Sequence, residues 1–370
     1  MDKNILNNVT KRLSKWVLGS KEAPQRILLY PTNNCNLKCL FCYQQLKPYD
    51  YSDIMSKEKW LNITKELCEM GVETFQISGG GESLIRADLV LDMMHIIKSY
   101  EKEGRLVTNG TLLNEKMIKE IIEMDWDNVI FSIDGSNEST HNYLRGKEDA
   151  FSKTTNNIRL FKKYKDELKK ERPSLEFSTV LTNKNYTEII DIIKLASDIG
   201  VKVITFEPVF VSNPDVQKLK LNKQEREVLI KNIPEALELA NSLGIITNLE
   251  TLVEVKSIEK TGTLKKFIFK LLEQKEKNDF FNMPCYEPWL WPKIEANGII
   301  GVCSTNSLNE NIKNKTFKEI WYGKEFNKFR ERIMNHDLPE GCENCVSTHL
   351  PINQEIRKEL SLTINEKRNN

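Results

Sequence analysis

The chain has 370 residues, 39% of them apolar, which is enough for a core at a size where about three-quarters of the surface is buried. Its 54 basic and 53 acidic residues leave a charge of +1, so there is no global electrostatic footprint for nucleic acid or a membrane surface. No apolar run approaches the ~18 residues of a membrane span, and the N-terminus has no uninterrupted apolar core of a secretory signal. Eight cysteines without an export signal are expected as thiols or metal ligands, which points to a cytoplasmic metalloenzyme.

In chain order, Ile5, Leu6, Val9, Leu13, Trp16 and Val17 fall on one helical face, so residues 1–25 read as an N-terminal helix plugging one end of a domain. From residue 26, strand patterns at Arg26–Tyr30, Thr74–Ile77, Arg105–Val107, Val129–Ile133, Glu176–Val180 and Lys202–Phe206 alternate with helical patterns. The helices are expected near 57–70, 88–101, 114–123, 151–170 and 187–198, with caps at Ser56 and Asn114. Six βα repeats predict a parallel α/β sheet, doubly wound or curled into a barrel. The polar stretches at 31–55, 78–86, 108–111 and 134–149 would then all lie at the C-terminal strand edge, where such folds build their sites. Residues 211–283 read as a charged helical connecting region with a short strand within Gly244–Leu249. Within it Thr263–Leu272 reads as a basic amphipathic helix, expected to pack on the sheet, with an anionic partner as the alternative. Residues 284–350 shift to short strands, tryptophans and four cysteines, and 351–370 read as a polar, fraying tail.

Cys35, Cys39 and Cys42 occupy the loop after the first strand, spaced so that a short loop gathers three thiolates at little entropic cost. Zinc would want a fourth ligand, and no His or Cys follows nearby. Three thiolates on a 4Fe–4S cluster leave one iron open to a small molecule. Cys68, inside a helical pattern beside Leu67, reads as a buried small hydrophobe. Cys285, Cys303, Cys342 and Cys345 form a second tetrathiolate set, and on ligand type alone structural zinc stays open for it.

The CxxxCxxC loop with Phe41 resembles the radical S-adenosylmethionine (SAM) superfamily, and further segments match in order. Gly79-Gly80-Gly81-Glu82 resembles the family's GGE motif, with Ser83 where Pro is usual; the resemblance implies that it binds the SAM amino group. Thr108-Asn109-Gly110 resembles the turn after the third strand. Ser132 and Asp134, at the end of the fourth, are implied to face the SAM ribose. Arg145, in the segment His141–Gly146, is implied to pair with the SAM carboxylate, a task suited to a guanidinium fork, while His141 reads as loop packing. The resemblance spans about residues 26–210 and implies a partial (β/α)6 barrel. Cys285, Gly298 and Cys303 resemble the opening of the SPASM extension, here in a four-cysteine, twitch-like form. It implies a small C-terminal α+β domain with an auxiliary, fully ligated 4Fe–4S cluster suited to electron transfer.

The expected cofactors are therefore two 4Fe–4S clusters and SAM, with a low-potential donor such as flavodoxin or ferredoxin. The layout resembles radical SAM dehydrogenases of aminocyclitol alcohols, so oxidation of a small polyol, sugar or aminocyclitol is the first expectation. A peptide-modifying maturase is the second. The 34 residues before Cys35 leave no room for the leader-binding domain common in peptide-modifying relatives. A zinc scaffold without enzymatic activity is the rival from another class. Glu207, at the end of the sixth strand, is a candidate to orient substrate or take its proton. Tyr43, Trp289 and Trp291 read as core or cluster-shielding aromatics.

Overall fold

A computed structural model gives the fold and describes residues 3–46, 53–252, 280, 283–303, 305–340, 342 and 352–360. Its elements follow the expected alternation. Helix α1 (Lys3–Val17) precedes β1 (Arg26–Leu29), α2 (Lys57–Met70), β2 (Thr74–Ile77), α3 (Ala87–Ser99), β3 (Glu103–Thr108), α4 (Glu115–Glu123) and β4 (Asn128–Ser132). Then come α5 (Glu138–Arg145), α6 (Ala150–Leu168), β5 (Ser174–Leu181), α7 (Ile189–Asp198), β6 (Val203–Pro208), α8 (Pro214–Gln217), α9 (Lys223–Ser242) and β7 (Ile246–Thr247). The six strands β1–β6, each followed by helix, are the (β/α)6 pattern of a partial barrel. The C-terminal part holds α10 (Glu287–Leu290), β8 (Lys293–Ile294), β9 (Ile299–Gly301), β10 (Ser307–Asn311), α11 (Phe317–Trp321), α12 (Lys324–Met334) and α13 over 352–360. No described helix is long and apolar enough to cross a membrane.

The chain divides into two compact units. One comprises Tyr30–Ile54 and Gln76–Lys256. In it β3 to β7 run parallel in chain order, with Arg105 beside Asn128, Asn128 beside Ser174 and Glu176 beside Val203. Burial alternates along β5 and β6: Leu175, Phe177, Ile204 and Phe206 enter the core, while the opposite face carries Ser178 and Thr205. Phe131 of β4 meets Phe161 of α6 edge to face at 5.9 Å. Asn114 caps α4 by accepting from the Met117 N–H, and Ser56 caps α2 in the other unit through the Lys59 N–H, both as expected.

The other unit comprises Met1–Leu29, Met55–Phe75 and Ser257–Asn370. Strand β1 and helix α2, expected in a 26–210 block, group with the C-terminal region. The cause is pairing: β1 runs parallel to β8, with Leu28 beside Lys293 and Leu29 beside Ile294. The Met55 N–H donates to the Ala296 carbonyl, and Glu66 accepts from the Phe317 and Lys318 N–H groups at the start of α11. Helix α1 packs inside this unit: its Val9 and Leu13 are buried with Met283, Tyr286, Leu290, Ile333, Ile356 and Leu360.

The expected fraying tail is likewise corrected over 352–360, where α13 puts Ile356 and Leu360 into that same core. The helix was illegible because only Ile352, Ile356 and Leu360 carry its apolar stripe among charged residues. Thr263–Leu272 lies outside the described residues. Ile356→Ala is expected to lower unfolding stability by about 2–4 kcal/mol in a denaturant titration, because a fully buried side chain leaves a cavity.

Candidate SAM and iron–sulfur sites

The loop after β1 is shaped by three sets of contacts within its unit. Cys42 N–H closes a turn onto the Cys39 carbonyl, and Leu37 N–H donates to Cys35 Sγ at 3.4 Å. Leu40 N–H and Lys38 N–H donate to the carbonyls of Leu144 and Arg145, which seats the loop on the end of α5. Gly146 makes this approach possible: its φ is +65°, and a Cβ there would stand 2.3 Å from the Lys38 carbonyl oxygen. Cys39 and Cys42 pack with Leu37, Phe41 and Ala150, while Cys35 is exposed.

The Gly79–Glu82 segment lies against the residues just before Cys35. Gly81 N–H donates to the Thr32 carbonyl at 3.0 Å and Glu82 N–H to that of Asn34 at 2.8 Å. A Cβ on Gly81 would fall 1.9 Å from the Asn34 oxygen, so the backbones meet only through glycine. Glu82 is buried and its carboxylate accepts from Thr108 Oγ1 at 2.8 Å, Asn109 N–H at 2.7 Å and Leu84 N–H at 3.2 Å. Burial still pushes its carboxyl above the ordinary range, against the pull of those donors. The Asn109 side chain donates to Asn36 Oδ1 at 3.0 Å and accepts from Thr111, tying the β3 turn to the cysteine loop.

The structure brings Arg145 to Cys39. Arg145 Nη1 stands 3.7 Å from Cys39 Sγ, its Nε 2.5 Å from Asp134 Oδ2, and its guanidinium 5.4 Å over the Phe41 ring. Burial pulls the guanidinium down, but Asp134 and Cys39 outweigh it and hold Arg145 above its ordinary value. Asp134 Oδ1 accepts from Val180 N–H at 2.8 Å, so this carboxylate is engaged by the protein on both oxygens. Ser132, half-buried at the end of β4, is in register with Ser178, which is in register with Thr205. Glu207 is exposed at the end of β6, beside Val180.

Helix α5 lies within the 134–149 stretch expected as loop. Its apolar spacing is poor, and the legible signal was its ends: Asn137 caps it through Thr140 N–H, and Gly146 closes it. His141 fills its buried face, accepting from Asp134 N–H at 3.2 Å and meeting Phe151 edge to face, which agrees with a packing role.

The donor set suits a metal cluster. Although Cys35 is exposed as a residue, partial desolvation of its thiol raises it to about 11, against the Leu37 N–H, and the neighbouring Cys39, Cys42 and Glu82 add to the rise. Burial also raises Cys39, with Arg145 opposing. The Cys35 and Cys39 thiolates, which burial disfavours, are what iron cations would stabilise. Among the described residues no three His, Cys, Asp or Glu side chains close on one point, as a single ion would need. A cubane takes each thiolate on a separate iron and makes no such demand.

In the other unit Cys285, Cys303 and Cys342 are half-buried thiols, and Cys345 lies outside the described residues. Asn306 N–H donates to Cys303 Sγ, and Asn353 of α13 accepts from the N–H of Tyr286, next to Cys285. Trp289 is core, and Trp291 donates to Gln25. Cys68 is buried in α2 and Tyr43 is exposed.

The His141 ring gives a pH signature. Burial, with Arg145 adding, depresses it from 6.5 to about 3, so the folded protein keeps it neutral while the unfolded chain takes a proton below about 6.5. Stability is therefore lost as pH falls from about 6.5 toward 3, by about 2 kcal/mol already at pH 5. His141→Gln, which keeps an acceptor for Asp134 N–H, should show a correspondingly smaller loss between pH 7 and 5 in denaturant titrations of the apoprotein.

Comparison with known proteins places these features. Residues 29–196 match the Radical SAM superfamily, and residues 285–346 match SPASM, an iron-sulfur cluster-binding domain. The tungsten-containing aldehyde ferredoxin oxidoreductase cofactor-modifying protein of Pyrococcus furiosus is 24% identical over 85% of this chain and 85% of its own. The antilisterial bacteriocin subtilosin biosynthesis protein AlbA of Bacillus subtilis is 28% identical over 54% of this chain and 43% of its own. Among solved structures, Streptococcus suis SuiB bound to precursor peptide SuiA has a TM-score of 0.62 at 16% identity, covering 88% of this chain and 71% of SuiB. The chain is a radical SAM enzyme with a C-terminal SPASM iron–sulfur domain.

Proposed function

We propose that this enzyme modifies a ribosomally made peptide by hydrogen abstraction, with Cys35, Cys39 and Cys42 holding the 4Fe–4S cluster that engages SAM. The likeness to the bacteriocin biosynthesis protein AlbA carries the peptide reading. Oxidation of a small polyol, sugar or aminocyclitol, the first expectation, has no counterpart among the relatives named above. The reduced cluster supplies, when bound, the electron that splits SAM into methionine and a 5′-deoxyadenosyl radical.

The chain's own residues supply placement. Gly79, Gly80 and Gly81 let their loop fold closely on itself and against Asn33, Asn34 and Gln44, and Glu82 keeps that loop on the β3 turn through Thr108 and Asn109. With those donors in place Glu82 retains acceptor capacity for an ammonium. Arg145 uses Nε on Asp134 and Nη1 on Cys39 and keeps Nη2 beyond those contacts, a donor suited to a carboxylate. Ser132, together with Ser178 and Thr205, offers hydroxyls on the strand face opposite the core, toward ribose or substrate. Asp134 acts on the ribose side by orienting Arg145, and Glu207, exposed at the strand end, orients substrate. Cys285, Cys303, Cys342 and Cys345 hold the auxiliary cluster, and a flavodoxin or ferredoxin supplies electrons.

The test uses reconstituted, reduced enzyme with SAM and the short peptides encoded beside its gene, read by mass spectrometry. The expected result is a mass change on one peptide, with deuterium moving from its labelled carbon into 5′-deoxyadenosine. Unchanged peptides together with an oxidised polyol would overturn the peptide reading and restore the alcohol one.

A further inference from the structure

Cys303 follows β9 and Cys342 follows α12, so two ligand sulfurs of the auxiliary site come from separate elements. One residue reaches both. The Asn306 backbone N–H donates to Cys303 Sγ at 3.3 Å, and its side-chain Nδ2 reaches Cys342 Sγ at 3.8 Å. The same Nδ2 lies 3.2 Å from Thr305 Oγ1, which stands 3.5 Å from Cys303 Sγ. Asn306 is half-buried, and its backbone is fixed by the pairing of Val302 N–H with the Asn306 carbonyl. Its position therefore follows from the β9–β10 turn and not from a flexible side chain alone.

We infer that Asn306 is a positioning residue of the auxiliary iron–sulfur site, bridging the Cys303 and Cys342 thiolates and raising the cluster's reduction potential through N–H donation to their sulfurs. The direction follows from charge. Gaining an electron makes the cluster and its thiolates more negative, so donors aimed at sulfur stabilise the reduced form more than the oxidised form. The inference rests on the iron–sulfur reading of the SPASM region and is independent of the substrate.

The experiment is an equilibrium redox titration followed by electron paramagnetic resonance on the full-length chain with Cys35, Cys39 and Cys42 changed to Ala, so that one cluster signal remains. Against that background Asn306→Ala should move the midpoint potential downward. Asn306→Asp should move it further, because a carboxylate adds negative charge. Variants that keep about four irons and titrate at the parent potential would overturn the inference. Loss of iron in Asn306→Ala passes the decision to protein with its own Asn306, labelled with 15N-asparagine and carrying Asn344→Ala. A 15N coupling to the reduced cluster in pulsed spectra supports the bridge, and its absence refutes it. A parent protein that takes up zinc instead of iron overturns the inference through its cofactor.

Discussion

Glu82 is the constraint on which the loops after β1, β2 and β3 depend. A carboxylate with no access to water is costly, and the cost is met only if donors are fixed around it. Here they come from two segments: Leu84 N–H in its own turn, and Thr108 Oγ1 and Asn109 N–H at the end of β3. Hydrogen bonds to a charged group contribute about 1.5–3 kcal/mol each, so three of them offset several kcal/mol of desolvation. Losing any one leaves the charge under-satisfied. The arrangement thus locks the β2 and β3 loops, while the backbone bonds from Gly81 and Glu82 to Thr32 and Asn34 lock the β1 loop to the same point. Cysteine spacing alone could not fix a cluster's position; the Glu82 lock does so for its loop.

The two cysteine sets share a physical problem and meet it differently. Thiolates gathered in one place repel one another, and the protein answers with donors aimed at sulfur. At the first set these are the Leu37 N–H and the Arg145 guanidinium. At the second they are the backbone and side chain of Asn306. A guanidinium brings a full charge and an amide only a dipole, so the two sites present different fields to whatever metal they hold.

Much of the fold was legible because the strands are short apolar runs and the helices carry explicit caps. β2 and α2 coincide with their expected spans, and the loops bearing the cysteines, Glu82, Asn109 and Asp134 fall where the repeat put them. Three features resisted. α5 has its buried face made by His141, Leu144 and Arg145, a pattern that hydrophobic periodicity does not register. α13 is read as tail until its buried Ile356 and Leu360 are set against Val9 and Tyr286, contacts far away in the sequence. The unit boundary inside β2 follows from β1 pairing with β8, and non-local strand pairing leaves no local mark. At the site, the motif positions were readable, but not the partners: that Asp134 would be engaged by Arg145 and Val180, or that Arg145 would reach Cys39, needed coordinates.

The measurement that tests the account most directly is iron content and SAM cleavage in the anaerobically reconstituted enzyme. With two 4Fe–4S sites the protein should bind about eight irons and form 5′-deoxyadenosine under reduction. Changing Cys35, Cys39 and Cys42 to Ala should leave about four irons and abolish that product. A triple variant that still makes 5′-deoxyadenosine would contradict the assignment of the first cysteine loop as the SAM-cleaving site.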